Sequence, residues 1–420
     1  MTVSSAADAT DTDPPVSIGR VLPLYLVVFI GFVGYSLMIT VFTPLILGDE
    51  GGMIAEDTST ATRTLLLGAL LALYPLAQFL GSPVIGALSD RFGRRQVLMI
   101  SLVASACCYV LIALALEIGS LPLLMLACAL AGFSEANTAI AQSAVADIAP
   151  ASQRSRLFGY VYLATALAYV IGPLAGGKLA SWLGFSIPFW GVAVLLAFTL
   201  VLTAFWFRET HTPAGGGGPL RLGQAFANLG NAFAPGPLRA LFLGNFVLYL
   251  AIFGFFRVYP MYLVDQFGMG ISKESEFIAW VSVPFVIANL GLVAWLARKL
   301  DPRRLTVRFA LALAVCLAVV VIPNPEWALW PTLFACAMAL SICLPSMAAM
   351  ISQAVDGAHQ GSALGANQSL QVGAEGVSGL AGGGLASIST TLPMPVLGGL
   401  ALLGAGLLSR PAARRARSVT

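Results

Sequence analysis

Three ionisable side chains lie inside long apolar stretches of this chain, where a charge is expensive. Glu135 lies in "AGFSEANTAIAQSAVAD", Glu375 in "NQSLQVGAEGVSG" and Arg257 in "IFGFFRVYPMY". A charged side chain at the centre of a bilayer costs about 2.5–3.5 kcal/mol, so such residues mark functional sites or paired charges. A carboxyl group there is suited to bind a proton and to release it when water arrives. We therefore predict that Glu135 and Glu375 bind protons; a neutral Glu135 bonded to a neighbouring helix is the structural alternative.

The residues around Arg257 and Glu375 define a candidate cavity wall. Gln368, Gln371 and Glu375 recur at helical spacing and share one helix face. Arg257 has three interpretations: it pairs with one of the two carboxylates, binds an anionic substrate, or extends its charged group to the membrane surface. Phe256 lies in an aromatic stretch and is a candidate contact for a bulky amphiphilic ligand, although a lipid-facing aromatic residue would leave the same pattern.

These residues must be positioned by membrane-spanning helices. Of the 420 residues, 58% are hydrophobic and 10% are charged, whereas soluble proteins carry about 25% charged residues. The predicted fold class is an all-α membrane protein with 12 transmembrane helices, because apolar runs of about 20 residues can cross a bilayer and lipid forces the backbone to bond to itself. The runs are 21–47, 64–88, 96–116, 120–146, 158–180, 185–207, 238–263, 277–297, 305–322, 328–351, 362–387 and 393–409.

The distribution of basic residues predicts the orientation of these helices. Apart from Arg63, Lys178, Lys273 and Arg257, the other 18 of the 22 Lys and Arg residues lie in the tails, in alternate gaps between runs, or in the first four residues of a run that follows such a gap. Cytoplasmic segments carry the excess of Lys and Arg, so both termini are expected in the cytoplasm. The acidic N-terminal tail lacks the basic region of a secretory signal. The expected location is the inner (plasma) membrane, as a multi-pass protein.

The chain divides into two similar halves. A Gly- and Pro-rich stretch beginning at residue 208 reads as a flexible linker. The segment "LAGGKLA" at 174–180 returns as "LAGGGLA" at 380–386, half the chain further on, and internal repeats are typical of secondary transporters. The predicted division is a disordered cytoplasmic tail (1–19), a six-helix half (20–207), a cytoplasmic linker (208–237), a second six-helix half (238–409) and a basic cytoplasmic tail (410–420).

The loop "GALSDRFGRR", residues 86–95, has four charged residues and two glycines in a short gap between two runs. Its arginines would hold the loop in the cytoplasm, and glycine supplies the conformations of a tight turn. The pattern resembles the signature loop of the major facilitator superfamily, and the resemblance in helix number and linker covers the whole chain. It implies that Asp90, Arg91 and Arg95 join a charge network that steadies the outward-facing state. The remaining candidate members are Gly86, Gly93, Arg94 and Asp147.

The fifth run contains "GYVYLATALAYVIGPLAGG", residues 159–177. It resembles the antiporter motif of proton-coupled drug exporters, with Ala168 in place of one glycine. Small residues allow close helix packing, which is the structural alternative, and a Gly-Pro pair loosens the backbone as a hinge would. In the fourth run, Cys128 occupies the position where those exporters carry an arginine. The matching residues are Gly159, Gly172, Pro173, Gly176 and Gly177.

Other chemistries find no support in the sequence. The "GGGG" at 215–218 is not followed by the Lys-Ser/Thr of a nucleotide-binding loop, and both histidines are in predicted loops. The six cysteines lie in apolar runs and are expected to be small buried side chains. We expect a monomer that is not an enzyme, binds no metal, cofactor or nucleic acid, and contacts lipid, protons and a small-molecule substrate.

By resemblance to the tetracycline and multidrug exporters, the expected function is proton-driven export of a small organic or amphiphilic compound by alternating access. The proton gradient would be the energy source. Two alternatives stay open. The first is a proton-coupled importer of a nutrient or metabolite on the same fold. The second is a membrane sensor or scaffold that does not transport.

Overall fold

The computed structural model describes residues 18–48, 53–55, 57–148, 154–210, 238–322, 325–355 and 360–409, and within these ranges every regular element is a helix. Residues 18–210, here called the first half, form seven helices. They are α1 (Ile18–Leu47), α2 (Thr60–Phe92), α3 (Arg94–Glu117), α4 (Leu121–Ser134), α5 (Asn137–Ile148), α6 (Arg154–Leu183) and α7 (Ile187–Trp206).

Residues 238–409, here called the second half, continue the helical bundle. A π-helical turn, Ala288–Leu292, joins its second and third helices, and a 3₁₀ turn, Glu326–Ala328, precedes its fifth. The helices are α8 (Arg239–Phe267), α9 (Ile271–Ile287), α10 (Val293–Ala297), α11 (Pro302–Val320), α12 (Leu329–Ala354), α13 (Gln360–Ile388) and α14 (Pro393–Ser409).

The described helices are those of a multi-pass membrane protein. Within the described ranges, nine helical segments are long and apolar enough to cross a membrane, and α14 is a shorter apolar helix. Helices α11 and α13 coincide with predicted runs but are less apolar, since α11 begins with several arginines and α13 is rich in glycine. The count of 12 spans therefore stays a prediction.

Each half buries its own apolar core. One cluster of buried side chains is drawn mainly from α1 to α7, and another from α8, α9 and α11 to α14. The cysteines are free, and five are buried or partly buried, whereas Cys107 is exposed on α3. The prediction that all six are buried is thus wrong for Cys107, because the apolar surface of a membrane helix need not face other helices.

The halves meet mainly where α2 packs on α13 and α6 packs on α9. A Cβ atom on Gly68 of α2 would lie 2.6 Å from the Cα atom of Gly383 on α13, so these backbones touch. In the other helix pair, the ammonium of Lys178 on α6 lies 2.7 Å from the carboxylate of Glu276 on α9, and both contacts lie at the end of the bundle where α2 begins and α6 ends. We call this side of the bundle the Lys178 end. The opposite side, which carries the loop between α2 and α3, is the Arg94 end.

Two predicted runs differ from the observed helices. The run 120–146 is broken at Glu135 into α4 and α5, and the run 277–297 starts earlier, at Ile271, and is interrupted by the π turn. Apolar content sets the length of a run but says nothing of breaks stabilised by other helices. Residues 1–17, 211–237 and 410–420, which hold the predicted tails and most of the linker, lie outside the described residues.

Candidate functional site

Glu135 lies at the break between α4 and α5, in the interior of the first half. Its side chain is 1% exposed. Its backbone carbonyl is released from the regular helical pattern and accepts a hydrogen bond from Nε2 of Gln78 on α2, at 3.4 Å. The hydroxyl of Thr138 lies 3.4 Å from the same carbonyl oxygen. The break is therefore stabilised by a neighbouring helix and by the next helical turn.

The carboxyl group of Glu135 is held by tyrosine. The Tyr74 hydroxyl, from α2, donates to Oε2, and Tyr109 of α3 faces the same carboxyl group. Oε1 is buried and has no hydrogen-bond partner. Gly132, almost one turn before Glu135, allows this geometry, because any side chain there would collide with the carbonyl oxygen of Tyr74.

A pair of stacked tyrosines connects Glu135 to the second half. The rings of Tyr35 on α1 and Tyr74 on α2 stack with their centroids 4.6 Å apart. The Tyr35 hydroxyl donates to Oε1 of Glu375 on α13. Polar and ring contacts thus run without interruption from the buried carboxyl of one half to the buried carboxyl of the other.

Arg257 of α8 completes the cluster. Its Nη2 atom donates to Oε1 of Glu375 at 3.0 Å, and its guanidinium carbon lies 5.0 Å from the centroid of the Tyr35 ring. Of the three interpretations of the sequence, the structure shows the pairing with a carboxylate, and the partner is Glu375. Arg257 is 1% exposed, so it does not extend to the membrane surface.

The other predicted cavity residues differ in their surroundings. Gln371 is partly buried one turn from Glu375, whereas Gln368 is exposed. Phe256 is partly buried and packs against Phe285 of α9, with ring centroids 5.7 Å apart. None of these surroundings tests contact with a ligand, so Gln368, Gln371 and Phe256 all stay candidates for the wall of the site.

At the Arg94 end, the charge network is centred on Arg94. Its Nη1 atom lies 2.6 Å from the carboxylate of Asp90, and its Nε atom lies 3.3 Å from Oδ2 of Asp147. The resemblance had assigned the role to Arg91 and Arg95. Arg91 lies against the Phe92 ring instead, and Arg95 donates to a backbone carbonyl of α7, that of Ala204. Of the three arginines in this loop, Arg94 is the one that is buried and lies between the two carboxylates.

Glu209, which the sequence analysis placed in the linker, caps this loop. Its carboxylate accepts from the backbone N–H groups of Arg94 at 2.8 Å and Arg95 at 3.0 Å. These are unpaired donors at the start of α3, where negative charge is favoured. Gly93 has φ 97°, and a Cβ atom there would lie 2.6 Å from Glu209. Gly86 has open space around it, and nothing in the structure explains its presence.

The glycine motif of α6 packs against both halves. Side chains at Gly172 and Gly176 would collide with Ser36 and Leu37 of α1, and one at Gly177 would collide with Ser275 of α9. The side chain environment of Gly159 lies outside the described part. The motif therefore joins α6 to its own half and to the other half.

Pro173 does not break α6, which continues to Leu183. A proline lacks the N–H group that would bond to the carbonyl four residues earlier, which is that of Tyr169. The hydroxyl of Ser282 on α9 lies 2.9 Å from this freed oxygen. The motif thus provides an acceptor for a hydrogen bond between the halves.

Glu274 is a buried acid that the sequence analysis placed in a loop. It lies in the first turn of α9, is 0% exposed, and neither carboxyl oxygen has a hydrogen-bond partner. Tyr259 of α8 is near enough to interact with it electrostatically. The helix starts six residues before the apolar run, and no sequence signal marked this carboxyl as buried.

Comparisons with known proteins agree with this architecture. The family model "Major Facilitator Superfamily" matches residues 24–379. The tetracycline resistance protein of class G from Vibrio anguillarum is 31% identical over 310 residues, which are 72% of this chain and 76% of that protein. The class C protein from Escherichia coli is 29% identical over 301 residues, covering 71% of this chain and 74% of that protein.

Among solved structures, the chain resembles the human organic anion transporter MFSD10 (TETRAN). The TM-score is 0.71 at 19% identity, with 94% of this chain and 100% of that chain covered. The family match and these relatives indicate a membrane transporter rather than an enzyme. The chain belongs to the major facilitator superfamily.

Proposed function

We propose that this chain is a proton-driven exporter of small organic, amphiphilic compounds. The observation that carries the proposal is the series of contacts from Glu135 through Tyr74 and Tyr35 to Glu375. It places a buried carboxyl in each half and connects the two across the interface. The similarity to tetracycline resistance proteins and the glycine motif of α6 support export.

Protonation of Glu375 would change the contact between the halves. Glu375 and Arg257 belong to the second half, whereas Tyr35 belongs to the first. A protonated carboxyl is a weaker acceptor than a carboxylate, so proton binding weakens both the Arg257 ion pair and the bond from Tyr35. The free energy lost favours the state in which the halves separate there.

Protonation of Glu135 would act within the first half. Its bond from Tyr74 holds the tyrosine pair in position next to Glu375. A change at Glu135 therefore reaches the interface through one stacked ring pair. In this proposal, the two carboxyls bind protons from outside and release them inside while the substrate moves outward.

The orientation predicted from basic residues completes the cycle. With both termini in the cytoplasm, the Lys178 end faces outward and the Arg94 end faces inward. The described contacts between the halves run from the Lys178 end to the middle of the bundle. The structure would then be closed to the outside. We propose a monomer in the inner membrane, powered by the proton gradient without a cofactor.

The test uses inside-out vesicles with an acid interior and an entrapped pH-sensitive dye. Dyes, antibiotics and metabolites are added one at a time, and substrate-dependent proton release is recorded. We expect release from wild type and its loss in Glu135→Gln, in Glu375→Gln and in the double variant. Glu117→Gln is the matched control, because Glu117 is exposed and bonds only to Trp190 among the described contacts.

Coupled transport that survives both substitutions would refute the roles of the two carboxyls. Alkalinisation of the medium by intact cells on substrate addition would instead support import with protons. A folded protein that shows no counterflow of any tested compound in proteoliposomes would favour the sensor or scaffold alternative.

A further inference from the structure

The guanidinium of Arg257 has more hydrogen-bond donors than partners. A guanidinium carries five N–H groups. Its Nη2 atom donates to Glu375, but Nε and Nη1 are buried and have no partner. Buried donors are normally satisfied, because an unpaired one loses its hydration without compensation. The unpartnered edge of this group is thus suited to an acceptor from outside the chain.

The contact with Glu375 is the weaker of the two geometries available to an arginine and a carboxylate. A paired, two-bond geometry would use both oxygens, whereas here Oε1 alone receives Nη2 of Arg257 and the hydroxyl of Tyr35. The Glu375 side chain is 12% exposed, so water and protons reach it. A second carboxylate can therefore compete for the guanidinium.

Aromatic side chains of both halves lie beside this charge. Tyr35 presents its ring to the guanidinium and contacts Tyr169 of α6 edge-on. On the second half, Phe256 precedes Arg257 and packs against Phe285. Tyr169, Phe256 and Phe285 are only partly buried. A flat apolar body next to the charge would find ring surfaces on each side.

We propose that Arg257 binds the carboxylate of the transported compound, and that the substrate class is aromatic organic anions. This inference rests on the proposed function, since it names the ligand of the same site. Glu375 occupies one edge of the guanidinium when no substrate is bound. The incoming anion takes the unpartnered edge and then displaces the single bond to Glu375.

Charge balance then couples anion binding to a proton. One guanidinium cannot compensate two buried carboxylates, so Glu375 takes up a proton from water as the anion binds. That proton moves outward with the anion, so the net proton that moves inward per exported anion is the one bound by Glu135. The titratable groups facing Glu375 are Arg257 from α8, Tyr35 from α1 and Tyr169 from α6. Helix α2 contributes the apolar side chains Leu76 and Phe79 near α13.

The experiment measures binding to the purified full-length protein, without a proton gradient. The probes are 2-naphthoate and its neutral counterpart 2-naphthamide, followed by other aromatic carboxylates of one to three rings, each with its amide. Binding is read from the ligand-dependent rise in the unfolding temperature, followed by tryptophan fluorescence between pH 5.5 and 8. The variants are Arg257→Gln, Arg257→Lys and Glu375→Gln, with Glu117→Gln as the control.

We expect carboxylates to bind at least tenfold more tightly than their amides. At pH values where Glu375 is ionised in the free protein, the affinity for the anion should fall about tenfold for each unit by which the pH is raised. This is the slope expected when one proton is taken up per anion bound. Arg257→Gln should abolish the preference for anions, and Arg257→Lys should restore part of it. Glu375→Gln should bind anions with no dependence on pH, because it removes the competitor.

Equal affinity for acids and amides across the panel, or anion binding retained in Arg257→Gln, would overturn the inference. If Arg257→Gln does not fold, the inference is overturned when the anion affinity of Glu375→Gln still depends on pH. The outcomes separate the two proposals. Anion-selective binding without proton release in vesicles refutes the proposed function, whereas proton-driven export of compounds bound without anion selectivity refutes the inference.

Discussion

The contact between Gly68 and Gly383 predicts how a single methyl group would shift the conformational equilibrium. In Gly383→Ala, the new Cβ atom would lie 2.6 Å from the Cα atom of Gly68, whereas ordinary contact begins at 3.4 Å. The new atom would also lie 3.1 Å from the carbonyl oxygen of Thr64. Both neighbours are backbone atoms and cannot rotate away. Helices α2 and α13 must therefore separate at the Lys178 end.

The magnitude follows from the cost of overpacking. Forcing an extra methyl group into a filled contact costs about 1–3 kcal/mol. This cost applies only to the state closed at the Lys178 end. The ratio of open to closed molecules should therefore rise by about 5- to 150-fold.

The assay measures a distance across the Lys178 end by electron-spin resonance in lipid nanodiscs. Spin labels are attached at Thr60 and Ser389, which are exposed at the ends of α2 and α13, after replacement of the native cysteines. Gly384→Ala is the matched control, because a Cβ atom there has no neighbour within 4 Å. A longer distance in Gly383→Ala alone is expected. Identical distance distributions for the two variants would refute the reasoning.

Three further substitutions test other contacts of the described structure. Lys178→Gln should favour opening of the Lys178 end by less than about fivefold, as expected for an exposed ion pair. Lys273→Gln breaks an ion pair within one half and should leave the opening equilibrium unchanged, as the same distance measurement would show. Ser282→Ala removes a hydrogen bond worth about 0.5–1.5 kcal/mol and should favour the open state by up to about tenfold in that measurement. Tyr74→Phe keeps the ring stack but removes a bond to Glu135 worth about 1.5–3 kcal/mol, so proton release in vesicles should slow at least tenfold while counterflow continues; unchanged release would contradict a role for the hydroxyl.

The class of fold and the charged members of the site followed from the sequence. Glu135, Glu375 and Arg257 stood out because charge is rare in apolar runs, and the structure shows all three buried or nearly so. Their connection was not predictable, because it depends on Tyr35 and Tyr74. A tyrosine inside an apolar run looks like any other core aromatic residue, and only the packing of α1, α2 and α13 shows that its hydroxyl meets a carboxyl.

The break at Glu135 was hidden from the sequence for a related reason. Residues on both sides continue the apolar pattern of a helix, so local preference predicts no interruption. The break is stable because Gln78, from another helix, bonds to the freed carbonyl. Long-range polar contacts of this kind leave no periodic signal in the segment that they alter.

The Gly-Pro pair of α6 makes a contact that its local chemistry does not predict. Proline removes a backbone donor, and the sequence alone therefore favoured a loosened hinge. In the structure, α6 stays continuous through Pro173, and the acceptor that the proline frees is used by Ser282 of the other half. Gly177, four residues later, packs against Ser275 of that half. The motif therefore lies at the surface between the halves, where a change in its packing is expected to alter the strength of their contact, and bending of the helix at this point stays a prediction.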